Sequence, residues 1–484
     1  MTKIFDFFYR NYQKNKNNIF LNIDGRKYSY EIIFEKISQY EIFFIKNNIK
    51  IVTLIDNRSI NFITLYLTCS KLDISFAPLD HKSMDEDLLH QIYYLNSKIV
   101  FCNHKVSARL KKLSKVDLQF LNINSNQIFK FRANYLSQKY NFFLLSFTSG
   151  STGDPKPIML SQQTKINRAS SNIKIFNIKK NIYSLISTPL HHTLAIRILN
   201  ISLINSCKIY ICENYSEMEL IKIIKNEKIN FTIFVSSQIN SIVNEIKNVS
   251  SLGSLHSIIS SSDKLSVDSK KKLLKYFKNP VYECYGLSEA AMVTNLNIRK
   301  SSKHINSVGV PIPGVKIKIL NKKKDPTQIG EILCKSQFIF SGYYRKKKIT
   351  QDSFVQSYFK TGDLGFVKNG HLYFVGRKKN MIKVKGISVY PEDIEKKIIK
   401  SKLIKECTVV GFSDMNEEEK LCLVYKKNYS IKNLEAKIKN FCISKLASYH
   451  IPRYFISVSE LFKNKLGKID RKTTSLWVKK IIDV

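Results

Sequence analysis

The densest chemistry in the chain lies in Leu144-Leu145-Ser146-Phe147-Thr148-Ser149-Gly150-Ser151-Thr152-Gly153-Asp154-Pro155-Lys156. An apolar run leads into hydroxyls and two glycines, and a lysine closes the loop. Glycines let backbone N–H groups approach an anion closely. The hydroxyls of Thr148, Ser149, Ser151 and Thr152 donate further hydrogen bonds, and Lys156 adds positive charge. The pattern predicts a phosphate cradle. Its spacing departs from G-x-x-x-x-G-K-[ST], which excludes the common NTPase loop. Protein-only metal sites have no comparable signature. The nine cysteines are irregularly spaced without a CxxC pair, and the adjacent His191 and His192 are expected to point in different directions. An odd, irregular set of cysteines also predicts no disulfide framework and a reducing, cytoplasmic setting.

Elements that position such a loop are legible around it. From about residue 140, short apolar runs rich in β-branched and aromatic residues recur at Phe142–Phe147, Ile182–Ser187, Lys208–Cys212, Phe231–Val235, Ser257–Ser260 and Val281–Cys284. Between them lie helix-period segments, among them Glu217–Asn226 and Ser266–Phe277. This alternation predicts a parallel sheet covered on both faces, and residues 19–100 carry a less regular version of it. After Gly309 the texture changes to short alternating runs, Val310–Leu320, Gly330–Cys334 and His371–Val375, which predict a more antiparallel or barrel-like portion. The last hundred residues carry their own signals at Glu392–Ile399, Cys407–Val410, Lys420–Tyr425 and Leu434–Ile443, and read as a small α+β domain.

The chain has 484 residues, 79 Lys+Arg and 38 Asp+Glu, and a net charge of +41. That length allows several domains and an ample core. A hydrophobic share of 44% excludes a disordered or fibrous chain. No apolar stretch is long enough for a membrane span, and the first residues lack the pattern of a secretory signal. The charge raises a nucleic-acid reading, yet lysines are spread through almost every segment, interleaved with Ile and Asn. Dedicated nucleic-acid binding is therefore not expected. The field would still attract anionic small molecules.

Taken with the motifs downstream of it, the loop resembles the pyrophosphate-gripping motif of the adenylate-forming (AMP-binding) superfamily of acyl-CoA synthetases, luciferases and stand-alone adenylation domains. Tyr285-Gly286-Leu287-Ser288-Glu289 is similar to the family's Tyr-Gly-x-Thr-Glu. Gly330-Glu331-Ile332, Ser341-Gly342-Tyr343-Tyr344, Thr361-Gly362-Asp363, Gly376-Arg377-Lys378-Lys379, Tyr390-Pro391-Glu392-Asp393-Ile394-Glu395 and Gly467-Lys468-Ile469-Asp470-Arg471 come next, in the family's order. The resemblance implies a large N-terminal domain over residues 1–378, with two parallel-rich α/β sheets and a small barrel-like portion. A small mobile α+β domain over 379–484 would pivot about a hinge at Lys379.

The implied activity is ATP-dependent activation of a carboxylic acid as an acyl-adenylate, then transfer of the acyl group to a thiol. Coenzyme A is the expected acceptor; a phosphopantetheine arm on an acyl carrier protein is the alternative. Glu289 would hold Mg²⁺, Tyr285 with Gly286 would face adenine, and Ser288 keeps the hydroxyl of the usual Thr. Asp363 suits the ribose hydroxyls and Arg377 the ribose and phosphate. Lys468 would bridge the substrate carboxylate and the α-phosphate. In the second pose the segment of Lys383 would face the site, with Gly386 leaving room for the thiol arm. Pro189-Leu190-His191-His192 aligns with the Pro-Leu-Phe-His segment of acyl-CoA synthetases, which puts His192 at the aromatic-histidine position, as a catalytic residue. No acidic residue occurs between Ser184 and Cys212, so an α-amino acid substrate is disfavoured. Three positions depart from the family pattern: Ser260-Ser261-Ser262-Asp263 replaces a Gly-rich loop and predicts a narrower, more polar pocket, Pro157 replaces a Gly, and Phe462 a Pro. A non-catalytic homologue would bind ATP without turnover.

Overall fold

The computed structural model describes residues 2–56, 60–114, 118–125, 142–147, 156–212, 215–245, 252–321, 323–384, 387–413, 419–464 and 467–482. The chain divides into two compact units. One comprises Met1–Ile305, Pro311–Lys316 and Lys335–Phe359; the other comprises Asn306–Val310, Ile317–Cys334 and Lys360–Val484.

The first unit is α/β. Its largest sheet runs Gly342–Tyr343, Ile158–Leu160, Leu144–Ser146, Ser75–Pro78, Ile51–Ile55, Ile99–Cys102 and Gln119–Asn122 in spatial order. From Leu144–Ser146 onward the pairing is parallel, and the first two strands are antiparallel additions. Ile51–Ile55, Ser75–Pro78 and Ile99–Cys102 are buried at every position, as strands covered on both faces must be. A second sheet places Phe234–Val235, Ile258–Ser261 and Val281–Leu287 in parallel, with Ala291–Asn297 antiparallel. Only two residues of the expected strand Phe231–Val235 join this sheet. The Asn230 side chain accepts the Tyr183 N–H at 2.9 Å, and Phe231 makes an isolated bridge to Ser184. A third sheet carries Arg26–Ser29, Ile19–Ile23, Lys208–Ile211 and Tyr183–Ile186.

Helix Glu217–Asn226 occupies the range its periodicity indicates, started by a Ser216–Glu219 capping box. Val281–Leu287 runs three residues beyond the expected end at Cys284, so Tyr285, Gly286 and Leu287 are strand and not loop. A buried ion pair stiffens this region: Lys270 contacts Glu283, and the two side chains are 0% and 1% exposed. Lys270 also donates to the Ile305 carbonyl at 2.7 Å, and Glu283 accepts the Leu265 N–H at 2.7 Å.

In the second unit residues 363–368 pair antiparallel with His371–Arg377. Its C-terminal part has a three-stranded sheet, Cys407–Ser413, Glu419–Lys426 and Tyr454–Val458. Helices Pro391–Lys400 and Leu434–Lys445 share a core there, formed by Ile394, Ile398, Val409, Leu423 and Ile438. Among the described residues no helix is long and apolar enough to cross a membrane.

Candidate active site

Strands Leu144–Ser146 and Ile158–Leu160 pair with Ser146 opposite Ile158, and so bring together the two ends of the hydroxyl- and glycine-rich loop. Thr148, Ser149, Gly150, Ser151, Thr152 and Gly153 lie outside the described residues; half-buried Lys156 lies within them. Tyr343 stands opposite Ile158 on the neighbouring strand, and the Tyr344 N–H donates to the Pro157 carbonyl at 2.9 Å. Pro157 therefore fits the loop base through its carbonyl, which needs no N–H of its own. The Tyr343 hydroxyl donates to Glu289 Oε1 at 3.1 Å. Burial and the Glu289 charge push the phenol's pKa up and keep it a donor. One tyrosine thus ties the base of the loop to the carboxylate.

Glu289 and Ser288 stand in the tight connection between Val281–Leu287 and Ala291–Asn297. Gly286 makes this turn possible. A Cβ there would lie 1.9 Å from the Ala291 carbonyl oxygen, and Ala291 itself has φ of 61°. Gly286→Ala is expected to destabilise the fold by about 1–3 kcal/mol through overpacking and to displace Ser288 and Glu289. Chemical denaturation would measure the loss, and an unchanged midpoint would show that the turn relaxes freely.

Arg168, on helix Gln162–Ile175, carries no local sequence signal. Its guanidinium donates to three carbonyls: Phe338 at 2.8 Å, Ser288 at 3.0 Å and Glu289 at 2.9 Å. Burial and Arg197 pull it down to about 9 against the opposing pull of Glu289, so it stays charged at neutral pH. Among the described residues no group of three His, Cys, Asp or Glu could hold a metal alone. A single half-buried carboxylate such as Glu289 still fits Mg²⁺, which keeps several waters and takes phosphate oxygens.

His191 and His192 do not diverge as expected. The chain turns at Pro189, whose carbonyl accepts the His192 N–H at 3.0 Å, and the two rings lie 4.1 Å apart. His192 precedes helix Thr193–Ile204, and Thr193 Oγ1 lies 3.3 Å from Ser288 Oγ. The histidine segment and the Ser288–Glu289 turn are therefore neighbours. Ser260 is fully buried, with its hydroxyl 2.9 Å from that of Ser236, so it does not supply the polar pocket wall expected of it.

In the second unit Asp363 and Arg377 are cross-strand partners. Arg377 Nε lies 2.7 Å from Asp363 Oδ1, and Asp363 is fully buried. Lys379 is the middle residue of a short 3-10 turn, Lys378–Asn380. Its neighbours are tied down on both sides: Lys378 to Glu331 at 2.8 Å and Asn380 to Glu392 at 3.0 Å. Lys383 lies on strand Ile382–Val384, and Gly386 is outside the described residues. Lys468 follows Gly467, which has φ of 72°. Lys468 and Asn464 exchange hydrogen bonds: the Lys468 N–H donates to Asn464 Oδ1 at 3.0 Å, and its carbonyl accepts the Asn464 N–H at 2.7 Å. Arg471, in the same motif, is anchored by Glu395 and by the Val409 carbonyl at 3.0 Å. Phe462 packs its ring 5.4 Å from Trp477, a contact the usual Pro would not make.

Residues 8–344 match the AMP-binding enzyme family, and residues 393–468 match the AMP-binding enzyme C-terminal domain. A 2-succinylbenzoate–CoA ligase of Oceanobacillus iheyensis is 25% identical over 434 residues, 87% of each chain. A long-chain-fatty-acid–CoA ligase of Bacillus subtilis is 27% identical over 352 residues, 70% of this chain and 62% of that one. Among solved structures, the o-succinylbenzoate CoA synthetase MenE of Bacillus subtilis, in complex with its acyl-adenylate intermediate, superposes with a TM-score of 0.86 at 19% identity, covering 98% of both chains. ATP-bound MatB of Rhodopseudomonas palustris superposes with a TM-score of 0.85 at 20% identity, covering 99% and 100%.

Proposed function

The chain belongs to the AMP-binding enzyme family, and from that premise we propose that it is an ATP-dependent acid–thiol ligase that makes an acyl-adenylate and passes the acyl group to coenzyme A. One observation carries this reading: Tyr343 ties the base of the hydroxyl-rich loop to Glu289, beside Ser288 and the His192 segment. The base of that loop, Glu289 and Ser288 thus lie in one corner of the first unit.

In the first half-reaction a carboxylate oxygen of the acid attacks the α-phosphorus of ATP, and pyrophosphate leaves with the electron pair of the broken P–O bond. The loop ending at Lys156 holds the departing phosphates. Glu289, oriented by Tyr343, would hold Mg²⁺, which when bound offsets phosphate charge. The acid's carboxylate is activated at the Ser288–Glu289 end, with His192 beside it. Asp363 accepts from the ribose hydroxyls, Arg377 donates to ribose and phosphate, and Lys468 donates to the oxygens that gain charge in the transition state. In the second half-reaction the thiol sulfur attacks the acyl carbon and AMP leaves.

The relatives named as CoA ligases support coenzyme A as the acceptor. All nine cysteines are buried and none forms a disulfide, which supports a reducing cytoplasm as the setting. The domain over 379–484 is read as pivoting at Lys379 between the half-reactions. Lys379→Pro, which stiffens the turn, is expected to spare adenylation and stop thioester formation. Equal loss of both would dismiss the pivot.

Carboxylate-dependent ATP–pyrophosphate exchange over short, long, aryl and amino acids tests the function. Exchange with one class, and thioester formation on adding coenzyme A, is the expected result. Exchange without transfer would move the acceptor to a carrier-protein arm. ATP binding with no exchange for any acid would overturn the assignment.

A further inference from the structure

Helices Gln162–Ile175 and Thr193–Ile204 pack together and enclose a cavity that Ser288 also lines. Thr193, Arg197 and Asn200 line it from one helix, at the spacing of one face, and Lys165 and Arg168 from the other. Three cations therefore share one small space. Arg168 is spent on its three carbonyls. Asn200 accepts from the Tyr66 hydroxyl at 3.0 Å and donates to the Ile196 carbonyl at 2.8 Å.

Lys165 and Arg197 are different. Lys165 is 3% exposed, and among the described residues neither side chain has an ion pair or hydrogen bond. Burial and the two arginines hold the Lys165 pKa well below the ordinary lysine value, and burial lowers Arg197. Gathering unpaired cations in a place of low dielectric costs stability unless an anion visits them. The nearby carboxylate, Glu289, is engaged with Tyr343.

We infer that the acid activated by this chain carries a second carboxylate, and that Arg197 and Lys165 receive it in this cavity. The inference rests on the proposed function, in which the reacting carboxylate is activated beside Ser288 and Glu289. Thr193, which lines the cavity beside Ser288, is 3.3 Å from the Ser288 hydroxyl. Arg197 and Asn200 lie one and two turns further along the same helix from Thr193, about 6–10 Å along its axis. That spacing suits a short dicarboxylic acid such as adipate. The cavity measures about 10 Å³, which takes one oxygen as it stands. Arg197 and Lys165, unpinned by hydrogen bonds among the described residues, are the side chains whose rotation admits the rest of the group.

The test compares adipate with hexanoate, which differ by the distal carboxylate, in ATP–pyrophosphate exchange and in calorimetric binding without ATP. Adipate is expected to exceed hexanoate in kcat/KM by about 100-fold or more, since a site built for a polar group rejects the analogue lacking it. Arg197→Leu is expected to reverse that preference, chiefly through KM for adipate, and Lys165→Met to weaken it about tenfold. Removing either cation should raise the melting temperature without ligand; should Arg197→Leu fail to fold, Lys165→Met carries the test. Equal kcat/KM for the two acids in the wild type, or an unchanged ratio in both variants, overturns the inference and leaves the ligase function standing. Binding of inorganic phosphate as tightly as adipate, with the same dependence on Arg197, also overturns it in favour of a static anion site. If no acid supports exchange, yet adipate and not hexanoate binds and Arg197→Leu abolishes that binding, the ligase reading falls while the recognition of a second carboxylate stands.

Discussion

Lys468→Ala is expected to slow acyl-adenylate formation by on the order of 10²–10³-fold, the usual loss when a donor to developing charge is removed. As carboxylate oxygen and α-phosphorus join, negative charge from both reactants crowds onto the phosphoryl oxygens, and an ammonium there lowers the barrier more than it binds either reactant. The backbone that presents Lys468 is held by hydrogen bonds of its own. Asn464 holds its N–H and carbonyl, and Arg471 anchors the motif to Glu395. The variant should therefore fold normally, with an unaltered thermal transition. Single-turnover formation of adenylate and release of pyrophosphate would measure the effect. Thioester formation from a supplied acyl-adenylate should be largely spared. Wild-type adenylation rates would remove Lys468 from that step.

Lys270→Met is expected to cost about 3–5 kcal/mol of stability, because it strands the Glu283 carboxylate in a fully buried position. The deficit should depend on pH in a definite direction. Burial raises the Glu283 carboxyl above its ordinary value even with Lys270 present. Without Lys270 the folded-state pKa rises further above the unfolded one. Below the unfolded pKa, Glu283 is protonated in both states and the variant loses least. As pH climbs through the raised folded pKa, the unfolded chain releases its proton first and the deficit grows. Urea titrations of wild type and variant at several pH values would measure this. Lys270→Met with Glu283→Gln should recover much of the loss and flatten the pH dependence. A deficit independent of pH would mean that Glu283 is solvated in the variant.

Helix Glu217–Asn226 can be read from its residues because local signals agree: Ser216 and Glu219 form the capping box, and Leu220, Ile221 and Ile224 recur at helical spacing. The family is legible for a similar reason, since the chemistry of the run Leu144–Lys156 is contiguous. Arg168 is not legible. In a chain with 79 lysines and arginines, nothing in the local pattern separates one that clasps three carbonyls from one that waves in water. Lys270 and Glu283 are hidden in the same way, because their pairing depends on how a helix lies against a neighbouring strand. The divergence expected of His191 and His192 assumes an extended chain, and the turn at Pro189 removes that assumption. Side chains that meet across elements are set by packing, which single-sequence periodicity does not encode.

The grip of Arg168 on Phe338, Ser288 and Glu289 also governs how this region comes apart. Phe340 adds a bond from its N–H to the Glu289 carbonyl at 2.7 Å. Two stretches far apart in the chain are thus fastened through shared carbonyls. Neither can detach without breaking the bonds that hold the other. Local opening there is a joint event, and amide hydrogen exchange around residues 288–292 and 338–342 should report a single opening free energy shared by both stretches.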